Sequence, residues 1–181
     1  MANPLVLVLG GTRSGKSGHA LDLTKSLAGF GRAWFLATAS RGDPELERRI
    51  ERHRLARPPS WPTVDVGVDL ASAVDATASA EPVLVEGLTL WLSTLVGDEA
   101  SNPDPILDGP LAAALAAIDR HEGPVVVVSD EIGLGLVPMH EGARAFRDLV
   151  GLVHQRVAER ADDVRFVVAG LPLSLKSTAD R

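Results

Sequence analysis

Short continuous apolar runs alternate with helically spaced ones along this chain. The runs Leu5–Leu9, Ala33–Ala37, Val83–Val85, Val125–Val128 and Phe166–Ala169 are rich in valine and leucine. Uninterrupted apolar runs of this length predict strands buried on both faces, as in a parallel sheet. Between them, Ser17–Leu27, Pro44–Leu55, Leu70–Ala78, Leu88–Val96, Leu111–Asp119 and Glu141–Ala161 carry the spacing of helices. Strand and helix in alternation predict an α/β doubly wound sheet. "TVDVGVD" at 63–69 adds a short strand, and 97–110, acidic and broken by Pro and Gly, reads as a surface loop. The closing "SLKSTADR" reads as a frayed end, and with no internal repeat the expectation is one domain over 1–181.

Composition narrows the function classes. A net charge of −6 disfavours nonspecific binding to nucleic acid or anionic membrane, although 48–57 is locally basic. No apolar run is long enough to span a bilayer, which predicts a soluble, unanchored protein. Without cysteine there is no disulfide framework, thiolate metal site or cysteine nucleophile, a composition that suits the cytoplasm.

The first apolar run leads into "GGTRSGKS", residues 10–17, in which Gly10, Gly15, Lys16 and Ser17 satisfy G-x-x-x-x-G-K-[ST]. Gly10, Gly11, Thr12, Arg13, Ser14 and Gly15 would turn backbone N–H groups onto phosphate oxygens, and the following helix adds its positive end. Lys16 reaches the β and γ phosphates, while the Ser17 hydroxyl suits Mg²⁺. Strand, motif and helix stand in the required order, so a nucleoside triphosphate site is expected.

Ligands of open α/β sheets sit outside the carboxyl ends of the strands. Glu86 ends "VLVEG", and Asp130 and Glu131 end "VVVVSDE". Such acids hold Mg²⁺ or accept from ribose or base, or simply cap the next helix. For Glu86 both readings stay open. For 130–131 function is favoured, because "EIGLGLVP" is a glycine-punctuated loop and no helix start. "DEIG" also matches the D-x-x-G of GTP switches, but no N-K-x-D accompanies it.

His53 lies in "RRIERHRLARPP" and extends the stripe Leu46, Ile50, His53, Arg57 of the helix predicted over 44–55. By spacing alone it is a packed or half-exposed side chain. Its neighbours Arg52, Arg54 and Arg57 disfavour the imidazolium, and a neutral imidazole is what a nucleophile requires. His19, His121, His140 and His154 show no metal-ligand spacing and read as structural or solvent-facing, with His19 placed on the helix that follows the phosphate loop.

Together "LVLGGTRSGKSGHA", "FLATA", "RIERHRLARPPSW", "VLVEGLTLWLSTLV", "VVVVSDEIGLGLVP" and "VVAGLPLSLK" resemble the bifunctional adenosylcobinamide kinase / adenosylcobinamide-phosphate guanylyltransferase family of cobalamin biosynthesis. The resemblance runs to about Lys176. It implies a P-loop NTPase (RecA-like) three-layer fold with a mostly parallel sheet. It implies two steps, γ-phosphoryl transfer from ATP or GTP to adenosylcobinamide and then GMP transfer from GTP through a guanylyl-histidine, which corresponds to His53. The family's GTP contacts correspond to Gly10–Ser17, to Ala37, Thr38 and Ala39, to Ala56, Arg57, Pro58 and Pro59, and to Asp65 and Glu86. Ser17, Glu86 and Glu131 are the candidate Mg²⁺ ligands. The implied partners are adenosylcobinamide, its phosphate and further copies of the chain in a homo-oligomer such as a trimer, with segment 111–118 as either interface or core. Three departures stand out: Arg52 precedes a single histidine, Asp130 replaces the usual Asn, and Asp65 is one methylene shorter than the usual Glu. Two other readings remain at this level, a different small-molecule P-loop kinase with a structural His53, and a GTP switch.

Overall fold

The computed structural model describes residues 4–29, 31–38, 57–78, 80–96 and 102–177. The helix expected over 44–55, and with it His53, Ala39 and Ala56, lies outside the described residues. Among the described residues seven strands form one sheet: β1 (Leu5–Gly10), β2 (Trp34–Ala37), β3 (Thr63–Asp65), β4 (Val83–Glu86), β5 (Val125–Asp130), β6 (Asp163–Val168) and β7 (Leu171–Lys176). Their order is β3-β2-β4-β5-β1-β6-β7, with every pairing parallel except β6 with β7.

Helices cover both faces, as the continuously apolar strands require. Alternate β1 residues point to opposite sides. Leu5, Leu7 and Leu9 join Val83, Val85, Val125 and Val127 in the larger core cluster. There they meet α2 (Leu70–Asp75), α3 (Leu88–Val96), α4 (Ala112–Arg120) and α5 (Glu141–Arg160). Val6 and Val8 join Phe35, Leu84, Val126 and Val128 beneath α1 (Lys16–Ala28) through Ala20 and Leu21. The α/β three-layer arrangement is therefore as expected, with α2, α3, α4 and α5 on one side and α1 on the other among the described residues.

Two expectations need adjusting, and one open alternative closes. The segment 97–110 is not loop throughout, because Asp104–Ile106 and Leu107–Leu111 wind helically into α4. "SLKSTADR" is not frayed at its start: Ser174–Lys176 belong to β7, and Lys176 Nζ donates to the carbonyls of Ala158 and Glu159 in the last turn of α5. Leu111, Ala114, Leu115, Ala117 and Ile118 are buried in the core, so the stripe at 111–118 serves packing within the chain.

Candidate active site

The phosphate loop is the connection from β1 to α1. Gly10 pairs with Asp130 on one side and Val167 on the other, so the loop starts between two strand ends. A Cβ on Gly10 would stand 2.7 Å from the Val167 carbonyl and 2.5 Å from Ser14 Oγ, closer than non-bonded atoms tolerate. Gly15 has φ 96°, a conformation costly for any residue with a Cβ. The Gly170 N–H donates to the Ser14 carbonyl at 2.8 Å, so the β6–β7 turn braces the loop from outside.

Lys16 is buried, and its ammonium has two partners: it donates to the Gly11 carbonyl at 3.1 Å and lies 2.5 Å from Asp130 Oδ1. The residue that departs from the family pattern thus faces the lysine of the loop. Ser17 donates to Glu86 Oε1 at 2.5 Å, which joins the loop hydroxyl to the acid ending β4. These are hard oxygen donors at the mouth of a phosphate loop, the donor type Mg²⁺ takes, and they fit the candidate ion. Glu131 turns differently. Its Oε1 accepts from the amides of Gly133 and Leu134, capping its own turn, and its Oε2 lies 3.7 Å from His154 Nδ1.

On the other side of Glu86, register brings the remaining candidates into line. Ala37 pairs with Asp65 of β3 and with Glu86 of β4, so all three share one row at the carboxyl edge. Thr38 is buried; its N–H donates to the Glu86 carbonyl at 3.0 Å. Its hydroxyl accepts from Gly87 N–H and donates to Gly87 O, both at 2.7 Å, across the residue that follows Glu86. The Thr38 side chain therefore secures the Glu86 turn.

Between α1 and this row lies a cleft of about 90 Å³ lined by Ser17, Gly18, Leu21, Phe35, Arg57, Leu84 and Glu86. Arg57 returns to it from the Pro58–Trp61 turn, closed by Trp61 N–H on the Pro58 carbonyl. Its guanidinium stacks 3.7 Å from the Phe35 ring centroid and donates to Thr63 Oγ1 at 3.0 Å. Pro58 and the exposed Pro59 hold that turn. The sequence reading thus identified Ser17, Arg57 and Glu86 of this cleft. It missed Phe35, Leu21 and Leu84, which as residues of β2, α1 and β4 carried only a core signal.

Two histidines read as structural or solvent-facing are better defined here. His154 on α5 is buried, with Nε2 2.7 Å from Ser129 Oγ on β5. Burial holds its pKa below the ordinary value, and Glu131 and Asp130 oppose that shift. His19 faces Arg165 of β6 at 3.2 Å rather than the phosphate loop. Its pKa is also lowered, by burial and then by Arg165, with Asp163 and Asp22 opposing. No group of three or more potential metal-ligating His, Cys, Asp or Glu occurs among the described residues. Nor is any described helix long and apolar enough to cross a membrane.

A loop of this geometry at the carboxyl edge of a mostly parallel sheet defines a P-loop nucleotide-binding α/β protein. The fold is similar to that of a solved ATPase domain, with a TM-score of 0.51 at 13% identity over 91% of this chain and 69% of that one. Residues 6–175 match the family model for cobinamide kinase / cobinamide phosphate guanyltransferase. The chain is 42% identical to the bifunctional adenosylcobalamin biosynthesis protein CobP of Pseudomonas aeruginosa, over 94% of this chain and 96% of that one. It is 34% identical to the bifunctional adenosylcobalamin biosynthesis protein CobU of Escherichia coli, over 95% and 99%. The chain belongs to the cobinamide kinase / cobinamide phosphate guanyltransferase family and has the kinase and guanylyltransferase role of that family. The readings as an unrelated kinase or a GTP switch give way to this one.

Proposed function

We propose that the chain phosphorylates adenosylcobinamide and then converts the product to adenosylcobinamide-GDP, with His53 as the covalent carrier of GMP. In the first step the substrate hydroxyl attacks the γ-phosphorus of ATP or GTP, loses its proton and releases the nucleoside diphosphate. Lys16 and the loop amides hold the phosphates, and Ser17 and Glu86 are the residues suited to hold Mg²⁺, which would neutralise charge on the transferred group. In the second step a His53 ring nitrogen attacks the α-phosphorus of GTP and pyrophosphate leaves. The phosphate oxygen of adenosylcobinamide phosphate then attacks the guanylyl phosphorus and frees the histidine. Splitting the transfer lets one site hold GTP and the bulky substrate in turn.

The observation that carries this reading is the convergence of Arg57 with Ser17 and Glu86 on one cleft. Arg57 follows His53 by four residues, and its guanidinium supplies charge for a phosphate tail. Asp65 and Ala37, in register with Glu86, extend the same edge for the nucleoside. Glu131 is a further candidate for the metal, next to Asp130 at the end of β5. We assign the activity to a single domain in the cytoplasm, assembled as a homo-oligomer. Exposed Leu171, Leu173 and Leu175 on edge strand β7 support association. Labelling with α-labelled GTP and Mg²⁺ tests the covalent step: base-resistant, acid-labile label on the protein is expected, and a folded, GTP-binding protein that takes no label overturns it.

A further inference from the structure

The geometry points to His154 as a positioning residue for the carboxylate of Glu131, whose backbone is bonded to the first residue of the phosphate loop. The kinase and guanylyltransferase role leaves this histidine without a task, yet it stands at the centre of a buried polar chain. Asp130 N–H donates to Thr89 Oγ1 at 2.9 Å, Thr89 Oγ1 lies 2.8 Å from Ser129 Oγ, and Ser129 Oγ lies 2.7 Å from His154 Nε2. All three side chains are buried. A backbone amide can only donate, so Thr89 Oγ1 accepts at that end, while its hydroxyl hydrogen has either Ser129 Oγ or, at 3.3 Å, the Asp130 carbonyl to donate to. At the other end the Glu131 carboxylate 3.7 Å from Nδ1 accepts only. The arrangement that also turns a proton toward Glu131 has Ser129 donating to Nε2 and Nδ1 carrying the proton.

The Ser129 contact holds the imidazole with Nδ1 facing one oxygen of Glu131 at 3.7 Å. The other oxygen is held by the amides of Gly133 and Leu134. The backbone of Glu131 donates to the carbonyl of Gly10, the first residue of the loop, at 3.0 Å. A carboxylate restrained from both sides on a strand end bonded to the phosphate loop is built for placement. Apolar packing would not require a histidine here, since Val150, Val153 and Val157 already fill the buried face of α5 around it.

The test uses the full chain, with steady-state kinase kinetics and thermal melting measured in parallel for wild type, His154→Leu, His154→Asn, Glu131→Gln, the double variant H154L/E131Q and Val157→Ala. Wild-type turnover reports separately on the kinase reading on which the proposal rests. His154→Leu is expected to lower kcat by about 10- to 100-fold, the range for an outer partner of a site ligand, with nucleotide KM within about threefold. His154→Asn retains an N–H near the Nδ1 position and is expected to recover most of kcat. The double variant is expected to be no slower than Glu131→Gln alone, because both act through one group. Val157→Ala removes apolar packing from the same helix face and is expected to lower the melting temperature with kcat preserved. Additive losses in the double variant, an unchanged kcat in His154→Leu or Glu131→Gln, or equal kcat losses in His154→Leu and Val157→Ala would each overturn the assignment.

Discussion

Lys16 Nζ and Asp130 Oδ1 stand 2.5 Å apart, with the lysine side chain 4% exposed and the aspartate 19%. The acid occupies the ammonium that a triphosphate would bind, so nucleotide must compete with it. Asp130→Asn removes the competing charge and leaves the buried lysine without a counter-ion. Two opposed effects are expected. Triphosphate affinity measured calorimetrically rises by about tenfold, equivalent to about 1.4 kcal/mol. Stability without nucleotide falls by about 3–5 kcal/mol in denaturant titration, the cost of breaking a buried pair.

His53→Ala separates the two activities. The variant is expected to phosphorylate the substrate within about threefold of wild type, because the phosphate loop supplies that step by positioning and charge. It should take no guanylyl label and form no GDP-linked product. Chromatographic separation of phosphorylated and guanylylated substrate reads both outcomes in one assay.

Thr38→Val keeps the shape of the side chain and deletes the hydroxyl that bridges Gly87 N–H and C=O. The buried amide loses its partner, at a cost of about 1–3 kcal/mol in denaturant titration. Glu86 precedes that amide, so kinase kcat should fall along with stability. Thr38→Ser restores the hydroxyl and should recover both.

Gly10→Ala sets a methyl carbon 2.7 Å from the Val167 carbonyl, where β1 and β6 are paired. Backbone must move to admit it, at a cost of about 1–3 kcal/mol. Gly11, with nothing near its would-be Cβ, is the internal control. Thermal melting should separate the two alanine variants clearly, with Gly11→Ala the milder.

The buried His154 gives stability a pH dependence of known sign. Its folded pKa lies below the ordinary 6.5, so below that value the unfolded chain binds the proton more readily. Its contribution is complete above about pH 6.5 and is lost as pH falls toward the folded pKa. Denaturant titrations of the nucleotide-free protein from about pH 7.5 to about pH 5 should show the decline, and His154→Asn should flatten it.

Most of the strand-and-helix order was legible because both-face burial writes uninterrupted valine and leucine runs, and β1, β4 and β5 are of that kind. The short β3 within 63–69 also formed. β7 escaped because it is an antiparallel edge in which Leu171, Leu173 and Leu175 alternate with Pro172, Ser174 and Lys176. The strand β6 begins at Asp163, three residues before the reading placed it, because Asp163 and Arg165 interrupt its apolar run. Prolines at 105 and 110 hid the helical entry to α4. In the site, Lys16, Ser17 and Glu86 were readable from motif and strand end. The Lys16–Asp130 pair was not, since it depends on β1 lying beside β5. A signal for His154 existed: it falls with Val150, Val153 and Val157 on one buried helical stripe, and a polar residue there needs a partner.

The bond from Gly170 N–H to the Ser14 carbonyl has a consequence for how the protein is made. The phosphate loop is translated well before the residues that form its outer brace. The strand leading into it is flanked by β5 and β6, both of which follow it by more than a hundred residues. A nascent chain therefore carries the motif long before it carries the pocket. Products that stop short of Gly170 should contain every residue of the loop and still fail to retain nucleotide.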